Sequence, residues 1–216
     1  MKNIHVNEAS TLKDQWTSFN AENPKVRIRD AAKILNTSEA QLLATGCNDT
    51  VTRLDVDLKE FFTTEVPKLG KVKALTRNNE VVHERNGEYL NPSFGKNSHV
   101  GLFVGEDIDL RVFLNSWKFS FAVSEFARGN ERLSIQFFGK DGSAIHKIYL
   151  IKESNKEAFL KIKAIFKHEV QGILEEEIIS EEIAPEKRNE NPDKEKFQQD
   201  WLKLKDTHGF FPLIKK

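Results

Sequence analysis

One cysteine in 216 residues removes two classes of protein at once. Cys47 has no second thiol with which to close an internal disulfide, and no CxxC clip is available for zinc. An excess of charge of one sign is missing too. Lys and Arg total 33 and so do Asp and Glu, so there is no global field to gather nucleic acid or an anionic membrane surface. No apolar run approaches the ~18 residues of a membrane span, and the opening MKNIHVNEAS has no apolar stretch of the secretory kind. The chain is therefore expected to work in the cytoplasm, without a membrane and without nucleic acid. The glycines are scattered through turns, so no phosphate-cradling loop forms, and no Ser, His and Asp follow one another in a triad order. Tyrosine is scarce at two, whereas phenylalanine reaches sixteen, a load that packs cores and lines pockets for flat apolar ligands.

The length suits one large domain or two small ones with a proper core. Residues 11 to 45 predict helices. Leu12, Trp16 and Phe19 share one helical stripe that Asn23-Pro24 ends; Ile28 to Leu35 follows, and Ser38 caps a third segment through Ala44. The last two have a helix-turn-helix-like spacing, but Asn36 to Thr45 lacks any Lys or Arg and contains Glu39, which argues against a DNA-reading regulator. VTRLDVD then alternates as a strand, and LKEFFTTEVPKLG reads as a helix ended by Pro67 and Gly70. Lys71–Arg77 and Glu80–Tyr89 predict a hairpin about Asn78-Asn79. Strands are expected at 101–105, 109–115, 118–123, 132–139 and 144–151, and an amphipathic helix at 155–170. Short strands with tight turns mean an α+β protein: a large antiparallel sheet meander with an N-terminal helical segment and covering helices, over residues 1–172.

Seven glutamates lie between 175 and 190, and Pro185 and Pro192 stand near the end, so 173–192 reads as a solvated acidic linker. A final helix is expected from Asp193 through Phe197, Trp201 and Leu204 to Lys205. The apolar Phe210, Phe211, Leu213 and Ile214 after it imply a longer protein or completion by a second subunit.

DLRVFLN, residues 109–115, places a permanent cation within the most apolar region. Alternation sends Asp109, Arg111, Phe113 and Asn115 to one face and Leu110, Val112 and Leu114 to the other. Either Arg111 pairs with Asp109 or meets solvent, or it serves a site. Among the six histidines, His5, His99 and His168 read as surface residues, and His146, beside Ile145 and Ile148, reads as a hydrogen-bonded structural residue. His83 in VVHER is a possible metal ligand, although no two histidines have zinc spacing. His208 falls where the last helix should end, before Gly209 and two phenylalanines. It reads as a helix C-terminal residue or as the single axial imidazole of a haem site.

The runs ALTRNNEVVHERNGEY, GLFVGEDIDLRVFLNSWKFSFAV, RLSIQFFGKDGSAIHKIYL and QQDWLKLKDTHGFFPLIKK resemble the bacterial hemin-utilisation family, the HemS/ChuS-like hemin transport and hemin-degrading proteins. The likeness extends from about Leu12 to the end. It implies one repeat of a two-repeat fold, followed in 193–216 by the segment that enters the second. It also implies haem (iron protoporphyrin IX) as ligand, with His208 as axial iron ligand, Arg111 as the distal catalytic residue and Phe113 as a distal aromatic. Function would be haem degradation of the oxygenase type, needing an external electron donor, or haem transfer without catalysis between uptake and downstream haem-handling proteins. If the short chain is natural, a homodimer would supply the missing wall.

Overall fold

The computed structural model describes residues 11–78, 80–95, 99–127, 129–179, 193–204 and 213. They divide into two units, Met1–Glu181 and Glu182–Lys216. In the first unit α1 (Leu12–Glu22), α2 (Ile28–Ile34) and α3 (Glu39–Ala44) open the chain. Thr11 and Ser38 accept the third backbone N–H of α1 and α3, while Asp14 and Gln41 reach back to the cap, so both starts are closed capping boxes. Trp16 and Phe19 of α1 pack against Ala31, Ala32 and Leu42 in a small cluster of their own. The helix-turn-helix spacing leads inward: Glu39, Ala40, Leu42 and Ala44 of α3 are all buried, which leaves α3 no face for a DNA groove.

Among the described residues nine strands follow: β1 (Val51–Leu54), β2 (Val72–Arg77), β3 (Val82–Gly87), β4 (Ser93–Phe94), β5 (Val100–Val104), β6 (Asp109–Phe113), β7 (Trp117–Ala127), β8 (Asn130–Gly139) and β9 (Ala144–Leu150). Two further helices, α4 (Leu58–Thr64) and α5 (Lys156–Ile165), lie in this unit. The α+β class with a large antiparallel sheet is as the sequence predicts. The strands nonetheless divide in two: a six-stranded sheet in the order β1-β7-β8-β9-β2-β3 and a three-stranded sheet β4-β5-β6. One cluster joins them. Phe61 and Phe62 of α4 and Phe159 of α5 pack with Phe137 of β8, Phe103 of β5, Val112 of β6 and Tyr89. Burying each such phenylalanine contributes about 2–3 kcal/mol, and the rings meet edge-on or tilted at 5.0 to 6.4 Å. Gly101 admits the Phe94 ring to the place a Cβ would take, which locks β4 onto β5.

Other expectations change as well. The hairpin turn spans residues 78–81, since Arg77 pairs with Val82. The Asn78 side chain accepts the N–H groups of Glu80 and Val81, so a side-chain turn replaces the two-residue primed one, with Asn79 outside the described residues. The last covering helix stops at Ile165, because Phe166 and His168 leave it to bond β1 and its neighbour: Asp55 N–H donates to Phe166 and His168 N–H to the Arg53 carbonyl. Finally, the acidic stretch does not begin as a solvated linker. Arg53, 8% exposed within β1, needs a counter-charge, and Glu177 supplies both carboxylate oxygens at 2.6 and 3.0 Å. Ile178 packs on the sheet and Ile179 N–H donates to Lys140; residues 180–192 lie outside the described residues.

In the second unit α6 (Lys194–Leu202) is capped by Asp193, which accepts Lys196 N–H at 2.9 Å. It ends at Leu202, three residues before the expected Lys205. Its Phe197 and Trp201, at helical i, i+4 spacing, bring their rings to 5.8 Å.

Candidate functional site

Strand β6 presents its two faces as the alternation predicts. Val112 and Leu114 are buried toward the aromatic core, while Asp109, Arg111 and Phe113 are exposed. Register carries this face across to β5: Leu102 lies opposite Arg111, Val100 opposite Phe113 and Val104 opposite Asp109. Phe113 is 62% and Val104 55% exposed, so the outward face of the small sheet is largely apolar, with the Arg111 guanidinium in its middle and the Asp109 carboxylate at its edge. Arg111 makes no ion pair and no side-chain hydrogen bond among the described residues, and the pairing with Asp109 does not form. A flat apolar face with an unpaired fork of five donors can take a flat apolar ligand that carries or develops negative charge.

At the end of β6 the chain tightens into a 3-10 turn over Leu114–Ser116, whose first N–H donates to the His99 carbonyl at 2.8 Å. Leu114 lines a cavity of about 490 Å³ together with Trp117, Lys118, His99 and His168. Two histidines far apart in sequence thus meet one hollow, which their reading as isolated surface residues did not foresee.

His83 stands exposed on β3, the edge strand of the large sheet, opposite Thr76. Among the described residues no three His, Cys, Asp or Glu side chains converge as a metal site, so His83 has no co-ligands there. His208 and His5 lie outside the described residues. His146 has the structural setting its strand neighbours predict: it is 3% exposed, with Nδ1 2.8 Å from Thr76 Oγ1 and Nε2 2.6 Å from the Tyr89 hydroxyl. Burial lowers its pKa to about 4, so the ring is neutral.

The opposite face of the large sheet carries charge that sequence reasoning missed. Glu39 of α3 accepts from Lys147 of β9 at 2.7 Å and from Arg77 of β2. Glu39 is 5% and Lys147 7% exposed. Burial pushes the Glu39 carboxyl up, but the two cations outweigh it and hold it below the ordinary carboxylate value. The available signal was a lysine in an otherwise apolar strand, AIHKIYL, which must find a partner if the strand is covered.

These features define a class: an α+β protein that offers a ligand a largely apolar sheet face bearing a guanidinium, Arg111, with no partner among the described residues. The chain belongs to the HemS/ChuX family, since the family model described as "Haemin-degrading HemS.ChuX domain" matches residues 36–166. It is 33% identical over 209 residues to the hemin transport protein HemS of Yersinia enterocolitica, covering 96% of this chain and 59% of that protein. Among solved structures, holo-PhuS, a heme-binding protein from Pseudomonas aeruginosa, superposes with a TM-score of 0.84 at 35% identity, covering 94% of this chain and 59% of that one. The Escherichia coli O157:H7 heme degrading enzyme ChuS gives 0.77 at 30% identity, covering 94% of this chain and 57% of that one. The chain therefore spans about six-tenths of the length of the relatives it matches. No helix among the described residues is long and apolar enough to cross a membrane.

Proposed function

We propose that this chain binds haem on the outward face of the β4–β6 sheet and serves haem-iron utilisation in the cytoplasm, by degrading haem, by passing it on, or both. The observation that carries the reading is Arg111, exposed and without a partner among the described residues, beside Leu102 and Phe113 in a chain of the haemin-degrading family. The residues suit the ligand: Val100, Leu102, Val104 and Phe113 offer apolar contact to a flat macrocycle, and the guanidinium answers negative charge beside it. His208 would hold the haem iron as its axial ligand, through a neutral imidazole of suitable softness, and Arg111 would serve as the distal residue. Haem, when bound, supplies the redox iron and the ring that is itself consumed or handed over. Arg111 holds a fixed positive charge and several N–H donors where anionic character develops, without reorganising to do so. Phe113 keeps water from that side. The electron donor for degradation is external.

Titrating hemin into the purified chain, with the Soret band as readout, tests this. Saturable uptake at one haem per chain or per pair of chains is expected. His208→Ala should collapse or shift the Soret band. If only His83→Ala does so, the iron ligand is misassigned; if neither variant nor Arg111→Ala changes the spectrum, the site is elsewhere. Reductant under air with catalase separates the two activities. Loss of the Soret band with iron release marks degradation, and a stable spectrum marks a carrier.

A further inference from the structure

The core between the two sheets holds a chain of three hydrogen-bonding groups that the haem reading does not use. Tyr89, 1% exposed, places its hydroxyl 2.6 Å from His146 Nε2, and His146 Nδ1 lies 2.8 Å from Thr76 Oγ1. Thr76 is exposed, so the three groups run from the dry interior to the surface. A neutral imidazole has one N–H and one lone pair, and two hydroxyl partners match that inventory only if one donates and the other accepts. The phenol is much the stronger acid of the two hydroxyls. Tyr89 therefore donates to Nε2, and Nδ1–H donates to Thr76.

Around this chain stand aromatic rings, among them one oxidisable indole. Trp117 is half-buried, lines the 490 Å³ cavity, and lies 6.2 Å from the His146 ring and 5.6 Å from Phe62. Tyr89 contacts Phe62 at 6.3 Å and Phe103 at 5.2 Å, ring centre to ring centre. Phe103 belongs to β5, whose other face carries Leu102 opposite Arg111. Tyr89 is thus separated from that outward face by the thickness of one sheet.

We propose that Tyr89, His146 and Thr76 form a proton-coupled electron relay, in which Tyr89 gives up one electron to an oxidant at the surface and its phenolic proton along the hydrogen-bonded chain. One electron leaves Tyr89, by way of Trp117 or across β5, to a one-electron oxidant such as an oxidised metal porphyrin or a photogenerated metal complex, which is reduced by one unit. In the same event the Tyr89 O–H bond breaks and Nε2–H forms. The Nδ1 proton passes to Thr76 Oγ1, and the Thr76 hydroxyl proton passes to water. The products are a neutral tyrosyl radical and a neutral imidazole whose N–H has moved to Nε2. No charge stays in the interior, which matters because burial strongly disfavours an imidazolium there. Re-reduction from the surface runs the same transfers backward and restores the starting hydrogen bonds. The relay gives the fold a reversible sink for stray oxidising equivalents. It depends on the haem reading only for the natural source of the oxidant.

The test uses the full haem-free chain, so its outcome is independent of whether haem binds. Because the sequence has only two tyrosines, Tyr149→Phe leaves Tyr89 alone without touching the buried chain. Flash-quench oxidation with a ruthenium polypyridyl photosensitiser should then give a tyrosyl radical by electron paramagnetic resonance, narrowed when the protein carries ring-deuterated tyrosine. Its formation should slow in deuterium oxide. Thr76→Val, isosteric and well suited to a strand, removes the outlet and should slow formation and lower the yield, whereas Thr76→Ser, which keeps the hydroxyl, should leave both near the parent. Absence of a tyrosyl signal in the Tyr149→Phe protein overturns the proposal. So does a radical formed equally fast in deuterium oxide, or equally well with valine at position 76.

Discussion

Arg111 and Lys147 are both cations borne on strands of the same unit, and their surroundings are opposite. Lys147 lies in the large sheet, 7% exposed, with Glu39 at 2.7 Å and Arg77 sharing the same carboxylate. Arg111 lies in the small sheet, exposed, with apolar neighbours and no partner among the described residues. A buried charge must be matched within the fold or the fold does not form, whereas an exposed charge on an apolar face costs the fold almost nothing and stays available to a ligand. Burial with a partner marks structure here, and exposure without one among the described residues is what leaves Arg111 available to the proposed site.

The largest test of that contrast is to strip each cation of its circumstances. Glu39→Ala leaves Lys147 and Arg77 facing an empty space and should destabilise by about 3–5 kcal/mol, read from the midpoint of urea unfolding. Arg111→Ala should change the same midpoint by less than about 0.5 kcal/mol. Similar losses for the two variants would erase the distinction.

Acid titration separates structure from site in another way. His146 titrates at about 4 in the folded chain against an ordinary 6.5. The unfolded chain takes up that proton first, so the stabilisation is complete above 6.5 and fades as pH falls toward 4, by about 3 kcal/mol. Glu39, held low by its cations, contributes in the same sense at lower pH: its share is present above the ordinary carboxylate value and is lost as pH falls through the depressed one. His146→Ala should flatten the upper part of this slope and leave the haem Soret band unmoved. A slope that persists would place the responsible group elsewhere.

At the site the effects should be spectroscopic rather than energetic. Arg111→Ala should retain haem but alter the pH titration of the distal ligand, while Arg111→Lys, which keeps charge and loses the planar fork, should fall between. A wild-type titration curve in the alanine variant removes Arg111 from the site. A small effect is also expected for Lys73→Ala, which breaks an exposed pair with Glu84 across β2 and β3. It should cost at most about 1 kcal/mol, and a larger loss would mean that exposure is a poor guide to partnership here.

Features that depend on near neighbours were legible before the fold was known. Ser38 caps α3 because its hydroxyl need only reach the third N–H onward, and the two faces of DLRVF follow from the period of a strand. That His146 is hydrogen-bonded could be read from its apolar strand neighbours, but not that Tyr89, 57 positions away, is one of the partners. Glu177 and Arg53, 124 positions apart, meet because the chain returns along β1, and this turned the start of a seeming linker into a docked strap. The division of the strands into two sheets was hidden for the same reason, since alternation reports which side chains share a face and not which strand lies alongside.

Sequence alone determined the caps, the strand and helix periods, the α+β class, the motifs of the family, and the fact that Arg111 and Phe113 point the same way. Tertiary structure alone decided which charged residues found partners. Lys147 was paired because strand register carried it under α3, and Arg111 was left open because β6 turns that face away from the core. The reason is range. Local patterns act over a few residues of one element, whereas desolvation and ion pairing depend on what the remainder of the chain brings within a few ångströms.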